Sequence, residues 1–218
     1  MDHQRILLDI ESQRDFFSPD GECYTAKAGL AAENIERLFD WAKEEVIPVI
    51  STVLRVRSGE IGPLTSVPHC IEGTLGEKKM AGSLMPRRIN LGLRNSTDLP
   101  KEIFEKHQQV IIEKRDTDIF AHARAERLIT ELTPGTVIVC GAGIGKGIYQ
   151  ATVGLRARGF GVVIAEDAVV DLDDEFAEMA MLRMQAKGAV PTATSNIVSP
   201  QGKRARKNAR FRSFQSAG

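Results

Sequence analysis

Val137-Ile138-Val139-Cys140-Gly141-Ala142-Gly143-Ile144-Gly145-Lys146-Gly147-Ile148-Tyr149-Gln150-Ala151-Thr152 is the stretch whose reading decides the fold. The leading apolar run reads as a strand covered on both faces, the glycines as a turn, and residues 146–158 as a helix that Gly159 can end. A buried strand that turns directly into a helix is the unit from which parallel α/β sheets are built.

The same unit recurs on both sides of this stretch. Upstream, Val110-Ile111-Ile112 reads as a strand, and a helix around 120–132 carries Ala121, Ala125, Leu128 and Leu132 on one face. Downstream, Val162 to Ala165 is a strand, a helix around 174–187 has Phe176, Met179, Ala180 and Met184 inward, and a sixth strand is expected within Thr192 to Val198. At the start of the chain, Ile6-Leu7-Leu8-Asp9-Ile10 is a strand. The helix around 30–45 that follows buries Ile35, Leu38, Phe39 and Ala42, and Val46 to Leu54 forms strand two. Residues 55–105 are rich in Gly, Pro and basic residues, and long excursions and edge elements are expected there. Right-handed crossovers then predict a three-layer α/β/α fold with a mainly parallel, about six-stranded doubly wound sheet. Ligands of such sheets bind outside the carboxyl ends of the strands.

Composition narrows the class. The chain has 218 residues, 42% of them hydrophobic, enough to bury a core in one domain, taken as residues 1–198. No run approaches the ~18 apolar residues of a membrane span, and the first residues do not read as a secretion signal, so a cytoplasmic protein is expected. Three cysteines without CxxC spacing, Cys23, Cys70 and Cys140, read as free thiols in a reducing compartment. Positive and negative side chains balance at 29 each, but six of the basic ones crowd residues 199–218 with no acidic partner. That segment reads as a disordered tail. A nucleic-acid arm is one reading of it, and a solvated terminus or a contact to a neighbouring subunit is the simpler one.

Three segments at the strand ends resemble the isochorismatase-like, or cysteine hydrolase, superfamily. Asp9-Ile10-Glu11-Ser12-Gln13-Arg14-Asp15-Phe16-Phe17 resembles D-x-Q-x-D-F-F with two extra residues before Asp15, so Asp9 matches the catalytic aspartate. Lys114-Arg115-Asp116-Thr117-Asp118-Ile119-Phe120 resembles K-x-x-Y-S-A-F, and Lys114 matches the catalytic lysine. The stretch quoted at the outset resembles V-x-G-x-x-T-D-x-C-V-x-x-T-A, with Gly147 where the amidases carry their nucleophilic cysteine. The resemblance runs over roughly residues 5–190 and extends to Glu166-Asp167-Ala168 after the next strand.

In the amidases the cysteine attacks an amide carbonyl with the aspartate as base and the lysine favouring the thiolate. Gly147 cannot attack, and Cys140 lies within a strand, where it reads as a small buried hydrophobe. Pro68-His69-Cys70-Ile71-Glu72-Gly73-Thr74-Leu75-Gly76 resembles the P-H-C-x-x-G-T-x-G segment of nicotinamidases, in which the histidine holds a metal. The companion D-x-H aligns with Leu54-Arg55-Val56, which offers no ligand, so His69 is the only remnant and neither metal nor cofactor is expected. Isochorismatases also carry glycine at the nucleophile position and cleave a vinyl ether by acid catalysis. The resemblance therefore implies Asp9 as general acid, Lys114 as its electrostatic partner within about 4 Å, and backbone amides near Gly147 facing the substrate. Phe16, Phe120, Gly143, Ile144 and Lys146 are the expected substrate-binding residues, with Tyr149 and Gln150 as neighbours.

A phosphate-binding reading of Gly141 to Gly147 fails on spacing, because G-x-G-x-x-G needs glycine at Lys146 or Ile148, and a P-loop needs Ser or Thr at Gly147. Two function classes stay open. One is a hydrolase without a thiol nucleophile, acting on a vinyl ether or another small carboxylate-bearing molecule. The other is a non-catalytic homologue that binds a small ligand or protein partner through the inherited pocket. A homo-oligomer is expected from the resemblance.

Overall fold

Ile6, Leu7, Leu8 and Ile10 are all without solvent exposure, so the first strand is the middle of the molecule and the rest of the sheet grows on both of its edges. The structure is a computed structural model and describes residues 4–171 and 174–199. In chain order it runs β1 (Arg5–Ile10), α1 (Arg14–Phe17), α2 (Ala28–Glu44), β2 (Val49–Leu54), β3 (Arg88–Asn90), α3 (Ile103–Lys106) and β4 (Gln109–Lys114). Then follow α4 (Ala123–Leu132), β5 (Thr136–Ala142), α5 (Tyr149–Ala157), β6 (Gly161–Val170), α6 (Asp174–Ala186), β7 (Val190–Thr192) and α7 (Thr194–Val198).

The seven strands are all parallel, in the order β3-β4-β2-β1-β5-β6-β7. The α/β layering expected from the sequence is therefore present, with one more strand than expected. Both edge strands are short: the additional one, β3, is three residues with Arg88 and Asn90 exposed, and β7 contains Pro191, which an edge tolerates. No strand lies within 194–198; that segment is α7, whose Ile197 packs in the same cluster as Ile35 and Leu38 of α2.

Alternation along β1 divides the core. Ile6, Leu8 and Ile10 face α4, α5 and α6, while Leu7 faces α2. Helix α2 presents Ile35, Leu38, Phe39 and Ala42 inward, as its spacing predicts. Helix α6 is rotated from expectation: Ala177, Ala180 and Met184 are buried, whereas Phe176 and Met179 are about half exposed. Small residues let α6 pack against α5 and the turn that precedes it, and a pattern that weights large apolar side chains misses that choice. On α4 the inward residues are Ala125, Leu128 and Ile129, and Ala121 lies outside in a 3-10 turn.

Because the chain leaves β1 toward β2 on one side and later returns to β5 on the other, the sheet's switch point lies at the carboxyl ends of β1 and β5. Gly141 makes that junction: at φ +122° its missing side chain leaves room for Ile10 O, which a Cβ would meet at 1.8 Å. Among the described residues, no helix is long and apolar enough to cross a membrane. The basic tail lies outside the described residues.

Candidate active site

Glu11 follows β1 with φ +46°, in the left-handed region. This turn breaks the strand's alternation at the sheet's switch point, and strain held by a non-glycine residue is characteristic of working sites. Asp9 points with Leu7 toward the α2 layer, where Ser51 Oγ donates to its Oδ2 at 2.7 Å. Lys114 and Thr52 lie on the other side, in line with Ile112 and Ile50. The left-handed turn sends Glu11 to that side, and there Lys114 Nζ reaches Glu11 Oε1 at 2.6 Å while Thr52 Oγ1 donates to the same oxygen at 2.9 Å. Both charged groups are buried, with 0% and 3% side-chain exposure.

The expected pairing of Asp9 with Lys114 is thus corrected. Strand geometry sends the two side chains to opposite faces of the sheet, and each takes a different partner. Asp9 Oδ2 is bound by Lys79 Nζ at 2.6 Å, and Lys79 also donates to Ser12 Oγ at 2.7 Å. Ser12 continues to Ser83, and Gln109 Nε2 joins Ser51 Oγ to Ser83 O, so the Asp9 side is a polar network under α2 in which Asp9 Oδ1 keeps no hydrogen-bond partner.

The segment after β5 begins with Gly143 at φ +80° and runs as a π-helical turn, Ile144–Ile148, into α5. Such turns interrupt α-helices mostly at functional positions. A Cβ on Gly147 would stand 2.9 Å from Glu11 Oε2, an oxygen with no hydrogen-bond partner in the protein. The glutamate, one methylene longer than aspartate, thus fills the space that a side chain at 147 would need. Lys114 is fixed by two further bonds, to Asp116 O and Thr117 O.

Chain positions expected to line the site are only partly gathered. Phe16 and Gly143 line a small cleft at the ends of β5 and β6, together with Leu64, Val170 and Asp171. Ile144 is buried in the core cluster of α4 to α6, and Phe120 packs against Gly154 beneath the Arg158 guanidinium, 3.9 Å from the ring centre. Neither lines the cleft, because the π-turn rotates Ile144 inward and the 3-10 turn at 119–121 carries Phe120 toward α5. Lys146 Nζ binds Pro63 O at 2.5 Å and thereby ties the loop over the cleft to the π-turn. The backbone amides are largely committed: Gly143 donates to Val170 O, Gly145 to Asp171 Oδ2, and Lys146 and Ile148 to Gly143 O. A preformed oxyanion hole, the feature acyl transfer relies on, therefore lacks the Gly143 donor.

The metal remnant is also resolved. Leu64 N–H donates to His69 Nε2 at 3.3 Å, so Nδ1 carries the proton and donates to Val67 O at 2.7 Å. Both ring nitrogens are used. Burial holds the imidazole below its ordinary pKa, a direction reinforced by Lys146 and opposed by Asp15 and Glu11. Val56, where a second histidine would be needed, is buried in the α2 cluster. Among the described residues, no three His, Cys, Asp or Glu side chains converge to hold a metal, and the donor set does not fit one. The thiols are likewise unsuited to attack: burial pushes Cys23 up to about 12 and raises Cys70 and Cys140 well above the ordinary range.

Gln13 and Asp15, beside Glu11, position this architecture. Gln13 accepts from Leu54 N and donates to Leu54 O and Glu77 O, clamping the end of β2 to the 70s loop. Asp15 accepts from Cys70 N at 2.5 Å and fits only because Gly76 has no Cβ.

The model of the isochorismatase domain matches residues 5–196. The chain belongs to the isochorismatase family. Solved structures of similar fold include a nicotinamidase from Bacillus subtilis, 22% identical with a TM-score of 0.67 over 87% of this chain and 99% of that one. An isochorismatase-like hydrolase from Alkaliphilus metalliredigens is 14% identical with a TM-score of 0.68, over 89% and 97% of the two chains. A ribonuclease from Caenorhabditis elegans is 18% identical with a TM-score of 0.62, over 90% and 80%. No curated protein sequence matches. At these identities the likeness shows the fold alone. Within the isochorismatase frame, Glu11-Ser12-Gln13-Arg14-Asp15-Phe16-Phe17 fits the first motif with no extra residues, placing Glu11 rather than Asp9 at its acidic position.

Proposed function

We propose that this isochorismatase-family chain is a thiol-independent hydrolase in which Glu11 moves the proton and Lys114 holds and polarises it. The observation that carries this reading is the divided carboxyl of Glu11. One oxygen is held by Lys114 and Thr52; the other is unpartnered and lies against Gly147, 2.9 Å from where a Cβ would stand.

That arrangement suits cleavage of an enol ether, which needs an acid but no nucleophilic side chain. Protonated Glu11 delivers its proton to the terminal methylene carbon, and the C=C electron pair forms the new C–H bond. Water adds to the resulting oxocarbenium carbon and returns a proton to Glu11, and the hemiketal collapses to a ketone and an alcohol. Positioned proton transfer of this kind contributes roughly 10²–10⁴-fold. Lys114, fixed by three acceptors, keeps the carboxyl in one orientation throughout.

A second reading, a non-catalytic ligand-binding homologue, draws on the burial of Glu11 and on the engaged amides of the π-turn. A turnover screen against enol ethers and small amides separates the two. Hydrolysis that drops at least about 100-fold in Glu11→Gln but persists in Asp9→Asn is the expected result. Silence across the panel from folded protein that still shows ligand-induced stabilisation would replace the hydrolase with the binding reading.

A further inference from the structure

Helix α6 carries apolar residues on two sides, and the rest of the fold covers only one of them. Ala177, Ala180 and Met184 are buried where α6 packs against α5 and the π-turn Ile144–Ile148. Phe176, Met179 and Leu182, spaced three apart, lie outward with 48%, 49% and 64% exposure. Phe176 rests its ring over Gly145, whose lack of a Cβ makes room for it, and still keeps that exposed area. Among the described residues no other helix exposes more than one large apolar side chain. Single exposed apolar residues are ordinary on a soluble surface, but a run of them along one helix marks a place where something docks.

The charges framing this run indicate what docks there. Glu175 and Glu178 stand in the amino-terminal half of α6, and Arg183 and Lys187 at and just beyond its carboxyl end. All four are exposed, and none forms an ion pair with a described residue. That order also suits the helix dipole, which accounts for the charges but not for the methionine and leucine between them. A helix acidic at one end and basic at the other is complementary to a reversed copy of itself. A two-fold axis passing between residues 180 and 181 would set Met179 of each copy toward Leu182 of the other and bring acidic and basic ends together twice. A parallel arrangement would instead set like charges side by side, which is costly at an interface.

We propose that the outer face of α6 is a self-association surface, through which two copies of this chain form an antiparallel, two-fold dimer. The oligomer expected from sequence resemblance thereby acquires a location. Because α6 packs on the π-turn that carries Gly147, the dimer braces that turn from outside. The proposal stands apart from the hydrolase reading, since the oligomeric state is read without any substrate.

The test is sedimentation velocity of the full chain over a concentration series, with circular dichroism confirming that each variant is folded. One helix pair is smaller than the roughly 800 Å² per partner of a standard interface, so dimerisation with a Kd on the order of 10 µM is expected. Met179→Glu combined with Leu182→Glu should raise that Kd at least about 100-fold. Glu175→Lys with Glu178→Lys leaves both ends of the helix basic, and Arg183→Glu with Lys187→Glu leaves both acidic. Each pair of changes should weaken self-association about tenfold, while an equimolar mixture of the two variants should associate about as tightly as the unaltered chain. A chain that stays monomeric up to about 500 µM overturns the proposal, as does a dimer untouched by the two glutamates at 179 and 182. Charge variants that self-associate like the unaltered chain, or a mixture no tighter than its components, overturn the antiparallel pairing.

Discussion

Two buried carboxylate–lysine pairs lie within two residues of each other in sequence, Asp9 with Lys79 and Glu11 with Lys114, both closed by contacts of 2.6 Å. What surrounds them differs. The Asp9 pair is tied through Ser12, Ser51, Ser83 and Gln109 into a network between the sheet and α2. The Glu11 pair lies at the sheet's switch point, beneath a π-turn, with an unpartnered oxygen against a glycine. Each carboxylate keeps one buried oxygen without a hydrogen-bond partner, Asp9 Oδ1 and Glu11 Oε2, so neither the ion pair nor the leftover atom distinguishes the two. What distinguishes them is the left-handed backbone at Glu11 and the glycine its free oxygen faces.

The largest effect expected from this comparison is on folding. Lys79→Met strands the Asp9 charge in the core and should cost about 3–5 kcal/mol in urea unfolding, and adding Asp9→Asn should recover a substantial part. If Lys79→Met instead left stability intact and altered ligand binding, the division between structural and working pairs would be broken.

A middle-sized effect sharpens the Glu11 side. Gly147→Ala puts a methyl group against Glu11 Oε2 and should destabilise by about 1–3 kcal/mol. The shorter Glu11→Asp should relieve that cost, giving a coupling of roughly 0.5–3 kcal/mol in a double-mutant cycle. Additive effects would mean that the carboxyl does not occupy the vacated side-chain space.

The smallest effect is in acid. His69 faces Glu11, Asp15 and Lys146, and His122 faces Lys114 and Arg124; burial lowers the pKa of both below the ordinary histidine value, with the neighbouring cations acting the same way. A group whose folded pKa is depressed binds fewer protons folded than unfolded, so stability should fall as pH drops below about 6.5. His69→Gln and His122→Gln together should flatten that slope, whereas Asp9→Asn should leave the histidine contribution in place. A slope unchanged by the histidine substitutions would assign the acid sensitivity to the carboxylates.

Much of the fold was legible because each central strand is a near-continuous apolar run and each helix keeps a 3.6-residue stripe. Ile6 to Ile10 and Val137 to Cys140 are examples of the first, and Ile35, Leu38, Phe39 and Ala42 of the second. The short edges β3 and β7 carry no such signal, since three residues with one face in water cannot display a period. At the candidate site, spacing leads to Lys114, but that Lys114 pairs with Glu11 rather than Asp9 is not evident from residue type alone. The signal was present: Glu11-x-Gln13-x-Asp15-Phe16-Phe17 keeps the motif spacing without extra residues, and alternation along β1 already sends Asp9 toward α2. The engagement of Lys146 with Pro63 and of Gly145 with Asp171 was not legible, because it arises only when distant segments meet.

The contact between Glu11 and Gly147 also makes the two positions interdependent. A cysteine introduced at 147 would collide with the longer acid, and a shortened acid at 11 would open a void beside glycine. Placing a thiol there therefore needs two changes, each unfavourable without the other, so a single substitution cannot supply one.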